Sequence, residues 1–254
     1  MKPLQEIENQ QPDDAARGTG QFATTHWSVV LAAGQRESPQ AAAALEELCQ
    51  TYWYPLYVYA RRNGHGPEDA EDLIQGFFLQ LFRYQSLAHV DRDKGRFRSF
   101  LLTSLKYYAA DCRDKVRTQK RGSGLTALRF DIRSAEGRYS KEPCNDLSPD
   151  KVYDRQWALT QLKRVLERLA EHYRETGKVE WFAALRPFLV EGGRGKTYAE
   201  AGMELGMTEE AVKKAVLRMR QHYARLFREA IAQTLADPAQ VDEELRYLHA
   251  VLTG

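Results

Sequence analysis

Apolar residues recur at spacings of three and four along most of the chain, which is the pattern of helices that bury one face. No stretch alternates apolar and polar residues in the way a half-buried strand does. The pattern therefore predicts an all-α fold. The predicted helices cover residues 29–33, 40–63, 67–84, 99–117, 150–176, 179–190, 198–205, 209–230 and 241–252.

Periodicity is lost in one internal segment, residues 120–150, which contains three Gly and two Pro. Such a segment is typical of a flexible linker, with some local order around 125–132. The sequence thus predicts two helical domains joined by that linker. Their bounds are 21–119 and 151–236, with a disordered polar tail at 1–20 and a helical extension at 237–254.

Charge changes this picture, because a net charge of only +2 hides two basic segments. Residues 92–121 carry ten Lys and Arg against three Asp, and residues 208–228 carry six against two Glu. Two local basic fields on a nearly neutral chain indicate two separate contacts with a polyanion. The alternative is two solvated helical faces.

The second basic segment lies in a helix-turn-helix pattern, which we expect in the C-terminal domain. Gly202 supplies a small residue where two helices would cross, and Gly206 tolerates the positive φ of the turn. Thr208 is a good N-cap for the following helix. This combination is more specific than any one of its residues.

The helix that follows Thr208 separates apolar from basic residues by angle. At about 100° per residue, Ala215, Val216, Met219 and Tyr223 cluster around Val212 and the cations occupy the opposite arc. A helix in the DNA major groove needs this arrangement, whereas the alternative is an ordinary amphipathic surface helix. The candidate DNA-binding residues are Thr208, Glu209, Lys213, Lys214, Arg218 and Arg220.

The first basic segment interleaves cations with aromatic residues, in Arg96-Phe-Arg-Ser-Phe100 and in Lys106-Tyr-Tyr108. Cations follow a phosphate chain and exposed rings stack on unpaired bases, so the segment suits capture of single-stranded DNA. The alternative places Phe100 and Tyr108 in a core. The rings of Phe97 and Tyr107 are expected to be the freer ones.

In this order, three stretches resemble a sigma-70 family RNA polymerase sigma factor of the extracytoplasmic-function (ECF) subfamily. Residues 72–78, Asp-Leu-Ile-Gln-Gly-Phe-Phe, resemble its Asp-x-x-Gln-Glu-x-Phe stretch. Residues 97–113 resemble its Phe-Arg-x-Trp-Leu…Asp-x-x-Arg stretch, and residues 198–220 its C-terminal helix-turn-helix. The chain departs from the family at Gly76, where Glu is usual, at Phe100, where Trp is common, and at Gly202, where Ala is more frequent.

The resemblance implies roles for the three stretches in promoter-specific transcription initiation. The helix-turn-helix would read the −35 element, and the first basic segment would melt and read the −10 element. The implied −10 residues are Arg96, Phe97, Arg98, Phe100, Lys106, Tyr107, Arg113 and Arg117. The implied residues for binding the polymerase core are Asp69, Asp72, Leu73, Gln75, Phe77 and Phe78.

The implied partners are promoter DNA and RNA polymerase core, which would be bound through its clamp helices and flap. Whether an anti-sigma factor is a further partner is left undecided by the resemblance. The competing interpretation is a dimeric helix-turn-helix operator-binding regulator.

We expect that the protein is not an enzyme. Residues 192–197 resemble a phosphate-binding loop but lack its earlier Gly, because Val190 occupies that position. No cofactor or metal is expected, since the three Cys and six His show no ligand spacing. The sequence has no secretion signal and no apolar run long enough to span a bilayer, so the expected compartment is the cytoplasm.

Overall fold

The computed structural model describes residues 30, 33, 39–83, 95–116, 132–142, 146–190 and 195–254. Within these residues it contains helices and no strand, so the all-α prediction is confirmed. Of the predicted helix 29–33 it describes residues 30 and 33, both helical, whereas the predicted tail 1–20 lies outside the described residues. The helices are α1 (Pro39–Arg62), α2 (Pro67–Arg83), α3 (Phe97–Val116), α4 (Ile132–Tyr139), α5 (Pro149–Glu175), α6 (Val179–Val190), α7 (Tyr198–Leu205), α8 (Glu209–Ala232) and α9 (Val241–Thr253).

Local signals explain where several of these helices begin. Ser148 precedes α5, and its hydroxyl accepts the backbone N–H of Lys151 at 3.4 Å. Pro149 follows at the first helical position, where its lack of an N–H costs no hydrogen bond within the helix. A short 3-10 turn, Pro238–Gln240, leads into α9. Over the described ranges, no helix combines the length and apolarity needed to cross a bilayer.

The first of two buried clusters is built by α1, α2 and α3 together with the first half of α5 and by α9. Tyr52 and Tyr57 of α1, Phe78 of α2, Leu105 of α3 and Trp157 of α5 are all at most 1% exposed. Because α9 adds Val241, Leu248 and Val251 to the same cluster, the predicted C-terminal extension belongs to the core around α3.

The second buried cluster lies where the far half of α5 packs with α6, α7 and α8. It contains Leu169, Leu185, Phe188, Val212 and Met219, each at most 3% exposed. The two clusters are connected by continuous helices, since α5 and α8 each contribute buried residues to both. The contacts therefore do not divide at the predicted linker. The reason is that a 27-residue helix such as α5 reaches about 40 Å and spans both clusters.

Part of the predicted flexible linker is the docked helix α4, which corrects that expectation. Glu136 pairs with Arg61 of α1 at 2.8 Å and accepts the hydroxyl of Tyr57 at 2.6 Å. The guanidinium of Arg138 lies 3.7 Å from the ring centre of Tyr54, and Ala135 is buried. At eight residues α4 is shorter than the window of about 11–18 residues over which a helical period is recognised, so its sequence alone does not reveal it.

The docking of α4 predicts an acid-sensitive contribution to stability. The hydrogen bond from Arg61 lowers the pKa of Glu136, and the bond from Tyr57 acts in the same direction. A depressed carboxyl pKa stabilises the fold above the unfolded-state value and loses that effect as pH falls through the folded-state value. Glu136→Gln should therefore cost roughly 1–2 kcal/mol at pH 7 in urea unfolding, because the bonds are charge-assisted but partly exposed. The difference should shrink as the pH is lowered through the folded-state pKa, and a cost that stays the same at every pH would contradict the assignment.

Candidate nucleic-acid interface

The turn between α7 and α8 is fixed by one glycine and one threonine. Gly206 has a φ of +62°, a conformation that favours glycine, and the N–H of Met207 donates to the carbonyl of Gly202 at 2.8 Å. The hydroxyl of Thr208 accepts the N–H of Ala211 at 3.3 Å. The predicted positive φ and the predicted N-cap are both confirmed.

Gly202 lies where the chain folds back on α7. A Cβ at this position would lie 2.6 Å from the carbonyl oxygen of Met207 and 3.7 Å from a methyl group of Val212. Only a residue without a side chain allows the turn to approach the helix this closely. The departure from the more frequent Ala therefore has a packing reason in this chain.

Replacing Gly202 by Ala should destabilise the protein although Ala favours helices. We expect a loss of about 1–3 kcal/mol in the free energy of unfolding, because a backbone oxygen cannot move aside as a side chain does. Chemical denaturation measures it. The matched control is Gly137→Ala in α4, where a Cβ meets nothing within 4 Å and should be neutral or slightly stabilising. Equal effects at the two glycines would contradict the close approach.

Helix α8 buries one side and turns its cations away from it. Val212, Ala215, Val216 and Met219 are buried. The outward face of α8, which we define as Lys213, Lys214, Leu217 and Arg218, is exposed, and Leu217 keeps 56% of its surface accessible. An exposed arc of long cations about one helix wide fits the phosphates that border a DNA groove.

The cations of this face differ in the partners they have. Lys213 pairs with Glu209 at 2.8 Å, and this hydrogen bond raises the pKa of Lys213 above its ordinary value. Among the residues that the structure describes, Lys214 and Arg218 have no carboxylate partner. These two side chains are thus the ones most available to an external anion.

Arg220, the last cation of the predicted arc, is partly engaged within the chain. Its Nη2 donates to the carbonyl oxygen of Phe188 at 2.8 Å, near the end of α6. The position is about 80° from Val212 on the helical wheel, which places it beside the packed side where α6 lies. Arg220 is exposed, but because one of its nitrogens satisfies a helix-terminal carbonyl it is less available to an external anion than Lys214 and Arg218.

The basic segment of α3 is divided between exposed and engaged residues. Tyr107 is 75% exposed, as expected, and Arg113 is also exposed. The ammonium of Lys106 pairs with Asp150 at 2.6 Å and lies 5.8 Å from the ring centre of Tyr59. Arg117 lies outside the described residues.

The expectation that Phe97 is one of the freer rings is wrong, because it is only 4% exposed. Its ring meets that of Tyr52 edge to face at 5.5 Å and stacks on Phe100 at 5.8 Å. Phe100 and Tyr108 are half-buried and pack against the first core. Tyr107 is thus the exposed ring of the four predicted aromatic positions.

Arg98 is buried in a charged cluster rather than presented to solvent. Its Nε lies 2.8 Å from Asp154 of α5, a second nitrogen pairs with Glu244 of α9, and the guanidinium lies 4.6 Å from the ring centre of Trp157. Burial by itself lowers the pKa of Arg98, but Glu244 and Asp154 outweigh burial and the net pKa is raised. A side chain 3% exposed cannot contact DNA in this conformation, which corrects its predicted role.

The predicted polymerase-binding stretch also splits into surface and core. Asp69 and Asp72 are exposed, and Leu73 and Gln75 are half-buried, with the amide of Gln75 donating to Glu71 at 2.6 Å. Phe77 and Phe78 are 3% and 0% exposed, so they belong to the first core and are withdrawn as contacts. Helical geometry explains this, since both rings share a face with the fully buried Ile74.

Gly76 has a packing reason as well. A Cβ at this position would overlap the hydroxyl oxygen of Tyr108, whose ring also contacts Phe77 with centroids 6.0 Å apart. A glutamate could be accommodated only if Tyr108 moved. Gly76 on α2 thus leaves the space that the hydroxyl of Tyr108 on α3 occupies.

Two features of the site escaped the sequence interpretation. Thr197 and Glu200 form a capping box at the start of α7, with the N–H of Thr197 donating to Glu200 at 2.6 Å. That bond lowers the pKa of Glu200, and a Thr-x-x-Glu pattern before an apolar run is a readable signal. Glu244 of α9 had no such signal, because its partners are distant in sequence.

Among the residues that the structure describes, no three His, Cys, Asp or Glu side chains come together. Burial, with a smaller effect of Glu46, raises the pKa of the Cys49 thiol to about 12, so this sulfur stays protonated. Comparison of the chain with protein-family models, with curated proteins and with solved structures finds no match.

Proposed function

We propose that this protein is a sigma factor of the ECF type, which binds RNA polymerase core and directs it to promoters. The observation that carries the proposal is the outward face of α8, where Lys214 and Arg218 are exposed without a carboxylate partner among the described residues. The glycine-dependent turn before this helix supports a helix-turn-helix interpretation.

In the proposed mechanism α8 lies in the major groove of the −35 element. Lys213, Lys214 and Arg218 neutralise phosphates, and the first turn from Thr208 to Glu209 approaches the base edges. Release of condensed counterions makes this binding strongly salt-dependent, with a log–log slope of about −0.9 for each phosphate contacted. No covalent chemistry is involved.

The polymerase contact is proposed for the exposed acidic start of α2, with Asp69, Asp72 and Gln75 as its polar residues. Contact with the −10 element is proposed for the accessible part of α3, where Tyr107 offers an exposed ring and Arg113 an exposed cation. An exposed ring can stack on an unpaired base, which offsets part of the cost of opening the duplex.

Run-off transcription with purified polymerase core and a library of genomic promoter fragments tests the proposal. We expect transcripts from a subset of fragments only when the chain and the core are both present. The competing interpretation, a dimeric operator-binding regulator, predicts a DNase footprint by the chain alone and no dependence of initiation on it. Absence of both core association and directed initiation would overturn the proposed function.

The α2 surface gives a specific prediction for core binding. Asp72→Ala combined with Gln75→Ala should weaken capture of core by about tenfold or more, since one charged and one amide contact would be lost at an interface. The matched control is Glu46→Ala with Gln50→Ala, an exposed acid–amide pair on α1 whose hydrogen bond is 3.1 Å. Titration of labelled protein with core measures both, and equal affinities would reject the assignment.

A further inference from the structure

The C-terminal helix α9 contacts the start of α3 through one buried carboxylate. Glu244 is 0% exposed, one of its oxygens lies 2.8 Å from a guanidinium nitrogen of Arg96, and the other pairs with Arg98. Together with Asp154 these residues form what we call the Glu244 cluster. Two arginines of the first basic segment are thus neutralised from within the chain.

The rest of α9 holds that carboxylate in position. Val241, Leu248 and Val251 are buried in the first core, and the hydroxyl of Tyr247 donates to Asp154. The ring of Tyr247 also lies near both guanidinium groups, at 6.0 Å from Arg96 and 5.8 Å from Arg98. The helix therefore covers the arginines with an aromatic ring as well as a charge.

The two arginines are not held equally. Arg98 has a second carboxylate, Asp154 of α5, at 2.8 Å, and is 3% exposed. Arg96 keeps 32% of its side chain exposed at the edge of the cluster, and its carboxylate partner among the described residues is Glu244. Displacement of α9 would consequently leave Arg98 paired and set Arg96 free.

We propose that α9 is an autoinhibitory helix whose Glu244 competes with a nucleic-acid phosphate for Arg96. A carboxylate and a phosphate oxygen both bind the N–H edge of a guanidinium, so they compete for the Nη2 nitrogen of Arg96 that lies beside Glu244. The apparent association constant of α3 for DNA is then the intrinsic association constant multiplied by the fraction of molecules in which α9 is displaced. This inference rests on the proposed function, because it takes nucleic acid as the ligand of α3.

The test compares full-length variants for binding a fluorescein-labelled, mixed-sequence 20-nucleotide single strand by anisotropy. Glu244→Gln keeps the shape of the side chain and removes its charge, and should tighten binding by about fivefold or more. Asp242→Asn is the matched control, because it removes an α9 carboxylate that pairs with Arg228 instead of the cluster. It should stay within about twofold of the wild type. Adding Arg96→Ala to Glu244→Gln should abolish the gain.

The wild-type chain provides a second measurement that does not depend on how well the variants fold. Hydrogen exchange of the amides of residues 241–253 should accelerate when the single strand is bound, because α9 is displaced. Unchanged protection of α9 in the saturated complex would overturn the inference, as would equal affinities of Glu244→Gln and Asp242→Asn.

Failure of the inference and failure of the proposed function give different results. If the variants bind the single strand equally while duplex binding still depends on Lys214 and Arg218, the autoinhibitory helix is rejected and the proposed function stands. If no variant binds either form of DNA even at low salt, the proposed function fails and the inference fails with it.

Discussion

Reversal of charge at Lys214 and Arg218 together is expected to lower the affinity for duplex promoter DNA by about 100-fold. The two side chains lie on the outward face of α8 and have no carboxylate partner among the described residues. Each lost hydrogen bond to a charged phosphate is worth roughly 1.5–3 kcal/mol, and about 1.4 kcal/mol corresponds to a factor of ten. Glutamates would in addition repel the phosphates.

The measurement is an anisotropy titration of a labelled duplex at several salt concentrations. The slope of log affinity against log salt should become shallower by about two units, one for each phosphate contact removed. The matched control reverses the charges of Lys163 and Arg174 on α5. Both side chains are exposed, and each pairs with a glutamate of the same helix. Net charge changes equally in the two double variants, so a position-specific effect separates them.

Two results would contradict the role of α8. One is an equal loss of affinity in both double variants, which would show that total charge alone matters. The other is loss of core association in Lys214→Glu with Arg218→Glu, because the proposed polymerase contact lies on α2. Retained core binding with lost promoter-specific initiation is the expected combination.

The second large effect is expected from Arg98→Ala, as a loss of about 3–5 kcal/mol in the free energy of unfolding. The substitution removes one arginine partner of Glu244, which is 0% exposed. It also removes the guanidinium that lies 2.8 Å from Asp154. Glu244 keeps Arg96 as a partner, so its buried charge becomes only half compensated, and an incompletely compensated buried charge accounts for a destabilisation of this size. The packing of the guanidinium on Trp157 is lost as well.

Urea unfolding measures the effect, with Lys106→Ala as the control. Lys106 belongs to the same helix and has a carboxylate partner, but that pair is about half exposed and should contribute less than about 1 kcal/mol. Adding Glu244→Gln to Arg98→Ala should recover part of the stability, because the buried carboxylate that has lost one of its two arginine partners is then neutral. If Arg98→Ala leaves stability unchanged and weakens binding of single-stranded DNA, Arg98 contacts nucleic acid as the resemblance implies.

The helices and their ends followed from signals confined to a few neighbouring residues. The apolar period of α5 to α9 predicted bounds within a few residues of those observed, and Thr208 predicted the start of α8. Gly206 predicted the positive φ of the turn, and the helical wheel predicted the exposed side of α8. Each of these properties is determined within one or two helical turns, where sequence neighbours are also spatial neighbours.

The roles of individual side chains in α2 and α3 needed the tertiary structure. The motif that includes Phe77 and Phe78 reads the same whether its rings face a partner or a core, and the packing against α1 and α3 decided for the core. Residues 132–139 resembled a linker in sequence because the contacts that hold them are distant. Glu136 binds Arg61 and Tyr57, which are more than seventy positions away.

What the sequence by itself determined is a set of amphipathic helices with capped ends, a glycine-dependent turn and two basic segments. Only the tertiary structure decided which cations are free and which are neutralised. Arg98 and Glu244 are separated by 146 positions, and no local pattern couples them. The physical reason is that a charge is available to a ligand only if the fold leaves it unpaired, and pairing depends on which distant helices come into contact.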